Sequence, residues 1–376
     1  YSFSDGIAKV MKDEKYGLID KIGQEILSCV YDDIGSFING IAKVEKHRKY
    51  GFVHMTGKKV SSCIYESVDS FSEGLAGVKR NGRWGFIDMK RDKAIPYIYE
   101  SVHSFSEGLA GVKRNGQWGF VDKDGTEIIP CIYESVNSFS EGLVGVKING
   151  QWGFVDKEGD EIIPTMYESV GDFCDGLVKA QKGGKWGIID KTGKEIILCI
   201  YESVDLFCDG LAKVQKEGKW GFVDKIGKEI VPCIYESVDT FYEGFAKVKK
   251  SGKCGFIDKD GNEILPCEYD CIRYFSDGIA EVERCGKFGL IDRARKEILP
   301  CIYDCIGHFN EGFASVKRNF KWGFVDQAGN EVIPCIYESV NWFHCGLASV
   351  RNHKSWAWID NRGKQVFIAS KYEEFR

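Results

Sequence analysis

Proline and histidine are scarce in this 376-residue sequence, with seven and six copies respectively. So few prolines, beside 44 glycines, point to a chain with many tight turns rather than disorder. The six histidines, His47, His54, His103, His308, His344 and His353, are scattered and form no H-E-x-x-H pair, which removes that zinc-hydrolase signature. There is no G-x-S-x-G nucleophile elbow and no phosphate-cradling G-x-x-x-x-G-K-[ST] loop. No apolar run reaches the roughly 18 residues needed to cross a bilayer. Basic excess is missing too. The net charge is −5 with both signs interspersed, so no basic stripe offers itself to nucleic acid. The sequence starts at Tyr1 with neither Met nor a signal peptide; a trimmed chain is expected, and targeting is not readable from it.

What the sequence has is recurrence. An aromatic residue followed by glycine stands at Tyr16, Tyr50, Trp84, Trp118, Trp152, Trp186, Trp220, Phe288 and Trp322; Cys254-Gly255 fills the gap, Trp356-Ala357 closes the series, and every step is 34 residues. Phenylalanine holds all eleven places of a second ladder running from Phe3 through Phe105 to Phe343, each with a glycine three residues on. A tyrosine ladder runs from Tyr31 to Tyr337 and slips by one residue to Tyr372. Catalysis needs its residues once, whereas a fixed interval is the mark of a repeat architecture. The domain organisation read from this is one array over residues 1–376, with cores at 16, 50, 84, 118, 152, 186, 220, 254, 288, 322 and 356.

One copy, Phe105 to Ser138, reads "FSEGLAGVKRNGQWGFVDKDGTEIIPCIYESVNS". Asn115-Gly116 is a type I′ hairpin signal, because that turn needs positive φ at both central residues. It sets a register in which Ala110 faces Val121, Gly111 faces Phe120, Val112 faces Gly119 and Lys113 faces Trp118. One hairpin face is then small and apolar (Ala110, Val112, Gly119, Val121), while the other carries Leu109, Trp118 and Phe120. Gly119 is expected where another backbone comes close. Asp122 to Gly125 predicts a type I turn capped by the Asp carboxylate. A short strand Glu127–Ile129, stopped by Pro130, and a loop pinned by Tyr133 and Phe139 complete the copy. Three short strands cannot bury both faces alone, so neighbouring copies must stack. The fold class expected is all-β: eleven tandem hairpin-based repeats in an open, curved or superhelical array. A propeller-like closed ring is the alternative, fitted poorly by so many copies of this length.

These residues carry a family resemblance. "KWGFVDKIGKEIV" at Lys219, "YESVHSFSEGLAGV" at Tyr99 and the recurring [K/Q/R]-W-G core resemble the WG-containing β-repeat, or KWG repeat, found mainly in bacteria. The resemblance spans the whole chain. It implies an interaction array with no catalytic residues to carry over. Departures are Cys254, Phe288, Tyr16 and Tyr50 at the Trp place, Ala357 for Gly, and His54 at the turn-Asp place.

Other chemistry is weighed position by position. The ladder Asp20, Asp88, Asp122, Asp156, Asp190, Asp224, Asp258, Asp292, Asp326 and Asp360 suggests calcium at "DKDG". However, the second acid becomes Ile226, Thr192 or Lys90 elsewhere, so turn capping is the expected role. Trp84, Trp118, Trp152, Trp186, Trp220 and Trp322 are read as structural, covering the sheet, rather than as a stacking platform. Eight of the fifteen cysteines, Cys29, Cys63, Cys131, Cys199, Cys233, Cys267, Cys301 and Cys335, share one repeat position; a small buried thiol in a reducing compartment is expected. Cys267, Cys271, Cys301 and Cys305 form a zinc candidate by spacing. Against it, a four-residue separation in extended chain holds side chains apart. His344-Cys345 is not read as a catalytic pair, since adjacent strand residues face opposite ways.

No enzyme and no cofactor are expected. The leading functional reading is a scaffold that binds a protein partner along variable positions: the residue at the place of Gly111 and the hairpin tips. Lys179, Lys213 and Lys247 are the binding candidates, following Gly77, Gly111 and Gly145 at the same place. Two alternatives stand beside it. One is a structural or filament-forming protein, self-association included; the other is a carbohydrate-binding module with regularly exposed Trp. A cytoplasmic location is expected from the thiols, with cell-surface or secreted placement left open because the native N-terminus is not seen.

Overall fold

The computed structural model describes residues 3, 6–89, 95–273, 275, 278–294, 296–353 and 355–369. Tyr1, Lys90 and Tyr372 lie outside them. The described residues are all-β, with no helix, so none is long and apolar enough to cross a membrane. Contacts divide the chain into two compact units, Tyr1–Leu206 and Phe207–Arg376.

The first unit is a run of antiparallel sheets. The copy around Trp118 is built from strands Ser101–Val102, Ala110–Arg114, Gln117–Val121 and Glu127–Tyr133, hydrogen-bonded in that order. The hairpin register is the one expected: Ala110 pairs Val121, Gly111 pairs Phe120, Val112 pairs Gly119 and Lys113 pairs Trp118. Asn115 and Gly116 hold φ of 52° and 80°, the left-handed pair that a type I′ turn requires. The closing turn also forms as expected. Asp122 Oδ1 accepts from the N–H groups of Asp124 at 3.0 Å and Thr126 at 2.8 Å. The same cap recurs at Asp20, Asp156, Asp190, Asp224, Asp258, Asp326 and Asp360.

Two expectations need correction. Pro130 does not stop the third strand, which runs on to Tyr133. Between Trp118 and Phe120 the opposite partner jumps from Tyr133 to Ile129, so Pro130 sits in a bulge on an edge strand, where its missing N–H breaks no ladder bond. The "CIYESV" segment is not a loop either. Ser135–Val136 is a strand that leaves its own copy and pairs with Lys147 and Val146 of the next. Within the first unit, each four-stranded sheet therefore has a strand donated by the preceding copy, which ties consecutive copies through backbone hydrogen bonds, while the sheet of Ile7–Lys12, Lys15–Asp20 and Glu25–Tyr31 has three strands.

The core sits between sheets. The large face of one copy (Leu109, Phe120, Ile129, Tyr133) packs on the small face of the next (Val144, Val146, Val155), with Val136 and Phe139 between them. Phe120 and Phe139 meet edge-on with centroids 5.0 Å apart, a pairing worth about 1 kcal/mol beyond area burial. The contact repeats at Phe52–Phe71, Phe86–Phe105 and Phe154–Phe173, which accounts for the phenylalanine ladder. Full burial of each such ring contributes about 2–3 kcal/mol, so each interface has its own hydrophobic anchor. Gly119 keeps this layer thin: a Cβ there would lie 2.5 Å from the Ile129 carbonyl and 2.7 Å from the Cys131 nitrogen of the third strand.

The second unit repeats the plan. Strands Leu211–Lys216, Lys219–Asp224 and Glu229–Tyr235 are antiparallel, and four four-stranded sheets follow, from Ser237–Val238 to Gln365–Ala369. Its phenylalanine contacts include Phe222–Phe241 and Phe324–Phe343, both at 4.8 Å, and Phe256–Phe275 at 5.5 Å.

Candidate functional site

Two kinds of position make up each copy: a constant frame and a variable row. The frame is polar as well as apolar. The Glu of "YES" caps the hairpin of the following copy. Glu66 accepts from the N–H groups of Asn81 and Gly82, Glu100 from Gly116, Glu134 from Gly150 and Glu168 from Gly184, all at 2.9–3.1 Å. The "EG" pair forms a second type I′ turn, with Glu107 at φ 53° and Gly108 at φ 90° between mutually bonded Ser106 and Leu109. From that turn Glu107 accepts from the N–H of Gly142 at 2.9 Å and meets the Lys157 ammonium at 3.0 Å, both in the next copy. Ser106 Oγ donates to the Phe139 carbonyl at 2.8 Å. Burial works against ionisation of Glu107, but the ammonium and backbone N–H groups outweigh it and hold its carboxyl below the usual range. Each of these glutamates closes a joint, and the Glu107 place is Glu or Asp in most copies, with Asn39 and Cys345 as exceptions.

The row consists of three places: the aromatic of the W-G core, the residue at the Gly111 position, and the residue just after the donated strand. In the first unit, where the middle place is Gly77, Gly111 or Gly145, the neighbour is Asp69, His103 or Asn137. Added Cβ atoms at these glycines would lie 2.8–3.1 Å from those side chains. Where the middle place is Lys179 the neighbour is Gly171. The second unit shows the same reciprocity. Lys247 meets Asp239 at 3.6 Å, Glu281 meets Arg273 at 3.0 Å, Ser315 stands beside Gly307, and Asn341 donates to Ser349 Oγ at 2.7 Å. Small answers large and plus answers minus. This column was missed by sequence reasoning; the signal was present as paired variation eight residues apart (69/77, 103/111, 137/145, 273/281).

The aromatic third place is half-buried. Trp84, Trp118, Trp152 and Trp220 pack one side on the core, and Trp186 and Trp322 are likewise half-buried. The other side of several rings is covered from the row. The Lys9 ammonium lies 4.0 Å from the Tyr16 centroid, that of Lys43 lies 3.9 Å from Tyr50, and that of Lys213 lies 4.1 Å from Trp220. The His103 ring lies 4.3 Å from Trp118; burial pushes its pKa down, and its buried Nδ1 has no hydrogen-bond partner. Of the binding candidates, Lys213 thus stacks on Trp220, Lys247 is ion-paired, and Lys179 is half-buried beside Gly171.

Three cavities open on this row. In the first unit one of 600 Å³ is lined by Lys9, Gly35 and Phe37, and one of 460 Å³ by Lys43, Asp69 and Phe71. In the second unit one of 150 Å³ is lined by Cys271, Arg273, Glu281, Glu283 and Phe288.

The thiols fall into two groups. The ladder cysteines are half-buried rather than fully buried, with Cys131 Sγ 3.8 Å from the Val112 carbonyl. All fifteen are free. Cys267 and Cys301 lie on third strands and Cys271 and Cys305 on donated strands, and the zinc candidate is not gathered. Among the described residues no three His, Cys, Asp or Glu side chains are placed to hold a metal ion. His344 and Cys345 stand in an "EG"-type turn, where the Cys345 N–H donates to Glu311 at 2.8 Å.

Comparison with sequence families gives ten matches to the WG containing repeat, at 16–50, 50–84, 84–118, 118–152, 152–186, 186–220, 220–254, 255–287, 288–321 and 322–356. No curated protein matches the sequence. Among solved structures the chain is similar to a eukaryotic initiation factor, at 10% identity and a TM-score of 0.33, covering 98% of this chain and 96% of that one. It is similar to PorZ of Porphyromonas gingivalis at 9% identity and 0.28, covering 82% of this chain and 52% of the other. For Kluyveromyces lactis Hsv2 the values are 10% and 0.26, with 65% and 89% covered. At these scores the likeness carries no argument about shape or function.

Proposed function

The chain belongs to the WG containing repeat family, and we propose that it is a non-enzymatic scaffold that binds a protein partner along its variable row. The observation that supports this reading is the contrast between frame and row. Frame residues recur because each closes a turn or a joint between copies. Row residues change in size and charge from copy to copy, change together, and line the three cavities. A surface that varies only within matched pairs presents a different chemical face in each copy on one unvarying support. That suits a partner read at several points along an extended surface. The Trp rings offer a sugar little open face where Lys213 or His103 already covers them, which weighs against a carbohydrate module.

A photo-crosslinking side chain placed at Lys43, Lys213 or Lys247 tests the proposal in the native cell. The expected result is one stoichiometric protein captured from row positions and not from exposed frame positions such as Lys123. Capture from frame and row alike, or recovery of the chain only as homopolymers, would overturn it. A second reading, self-association, has one observation in its favour: Ile64, Ile98, Ile132, Met166 and Ile200 leave an apolar side chain exposed at the same place in successive copies. Homopolymers that dissolve when these residues are changed to Thr would transfer the proposal to that reading.

A further inference from the structure

Two departures from the repeat fall side by side in a single copy. Cys254 occupies the place that holds Trp, Tyr or Phe in every other copy. Cys271 begins the donated strand Cys271–Ile272, where most copies have Ser. The Cys254 Sγ lies 3.7 Å from the carbonyl oxygen of Asp270, and that carbonyl belongs to the peptide bond leading into Cys271. In a planar trans peptide the oxygen is only about 2.8 Å from the following Cα. Cys254 Sγ is therefore at most roughly 6.5 Å from the Cys271 Cα, which places the two cysteines in one neighbourhood. A thiol here is smaller than the Trp, Tyr or Phe that holds the place in the other copies. Cys271 is exposed and Cys254 half-buried. Burial raises the Cys254 thiol, and the field of Cys271 adds to the effect, as expected of neighbouring sulfurs.

We propose that Cys254 and Cys271 are a peroxide-responsive dithiol that closes into a disulfide. The exposed Cys271 thiolate attacks one oxygen of a hydroperoxide. The S–O bond forms as the O–O bond breaks, the departing oxygen takes a proton, and Cys271 becomes a sulfenic acid. The Cys254 sulfur then attacks the Cys271 sulfur; the S–S bond forms, the S–O bond breaks, and hydroxide leaves with the Cys254 proton as water. The two thiols lose two electrons in all, and hydrogen peroxide becomes two waters. A small dithiol reductant reverses the closure. The bridge would fasten strand Lys253–Asp258 to the strand that pairs with Glu283 and Val282 of the next copy. It would thereby fix one wall of the cavity lined by Cys271, Arg273 and Glu281.

The test uses the full reduced chain and one equivalent of hydrogen peroxide, followed by intact mass and non-reducing peptide mapping. The expected product has lost two hydrogens and contains a Cys254–Cys271 peptide. Its two thiols should disappear at least tenfold faster than the exposed Cys174 and Cys208. Cys254→Ser should halt at a sulfenic acid on Cys271 that dimedone traps, and Cys254→Trp, which restores the usual residue, should also form no bridge. A Cys254–Cys267 disulfide, an intermolecular product, or oxidation of Cys271 no faster than of Cys174 would overturn the proposal.

Discussion

Glu100 Oε2 accepts a hydrogen bond from the backbone N–H of Gly116 at 3.0 Å, so a residue at the end of one copy caps the hairpin of the next. The donor is left open by the type I′ turn, and the acceptor is brought there only because Ser101–Val102 crosses into the neighbouring sheet. Removing the carboxylate therefore weakens a joint between copies rather than a single hairpin. Glu100→Ala should cost at most about 1 kcal/mol, since the site is solvent-accessible and water replaces part of the bond. Glu100→Gln, which keeps an acceptor oxygen, should recover part of that loss. Urea midpoints of the parent and the two variants measured side by side check the ordering; a Glu100→Ala midpoint equal to the parent's would mean that the cap contributes nothing.

Gly119 makes a stronger prediction. It lies directly against the backbone of the bulged third strand, and a methyl group there has no flexible side chain to push aside. Gly119→Ala should destabilise the first unit by about 1–3 kcal/mol, the usual cost of overpacking a closed site. Gly116→Ala makes a useful comparison, because its added methyl meets open space and the cost there is the left-handed φ of 80° alone. Thermal unfolding followed by tryptophan fluorescence separates the two causes. A Gly119→Ala protein as stable as the parent would show that the third strand can move away.

What was legible in the sequence was what is local. Asn115-Gly116 dictates its own turn, the turn dictates the register, and the register sorts Ala110 and Val112 from Leu109 and Phe120, all of which hold in the structure. What escaped depends on the neighbouring copy. Ser135–Val136 looks like loop because its pairing partner, Val146, belongs to the following repeat. Pro130 looks like a stop because nothing in one copy announces a bulge. The coupling of His103 to Gly111, or of Arg273 to Glu281, is visible only when two columns are compared across copies. The cysteines were misgrouped for a related reason. Ladder arithmetic set Cys267 and Cys271 beside Cys301 and Cys305, whereas Cys254 Sγ lies 3.7 Å from the carbonyl that leads into Cys271.

Acid should loosen the joints between copies. The carboxyls of Glu73 and Glu107 are held below their ordinary value by Lys123 and Lys157 and by backbone N–H groups, despite an opposing contribution from burial. A folded-state pKa below the unfolded one means that the unfolded chain takes up protons first as pH falls. Stability from these groups is therefore complete above the unfolded Glu value of about 4.3 and is lost progressively below it. The contribution of these carboxyls to the urea midpoint should be level from pH 7 to pH 5 and then decline, while His103, held neutral by burial, erodes stability from about pH 6.5 downward. Glu107→Gln should start lower at neutral pH and decline less steeply. A variant with the parent's acid slope would remove Glu107 from the account.

The ladder thiols should be slow to react, for a cause that can be divided. Burial pushes Cys199 and Cys233 up to about 11, with a smaller addition from the carboxylates of Glu195 and Glu229 respectively. Because the thiolate is the nucleophile, their alkylation by iodoacetamide at pH 8 should be on the order of a hundredfold slower than that of the exposed Cys174, Cys208 and Cys345. Residue-resolved mass spectrometry over a time course gives each rate in the same sample. Glu195→Gln then separates the two influences. It removes the negative field and leaves the burial, so Cys199 should speed up only partly while Cys233 keeps its rate. Full recovery to the Cys174 rate would assign the shift to the carboxylate instead, and no change would assign all of it to burial.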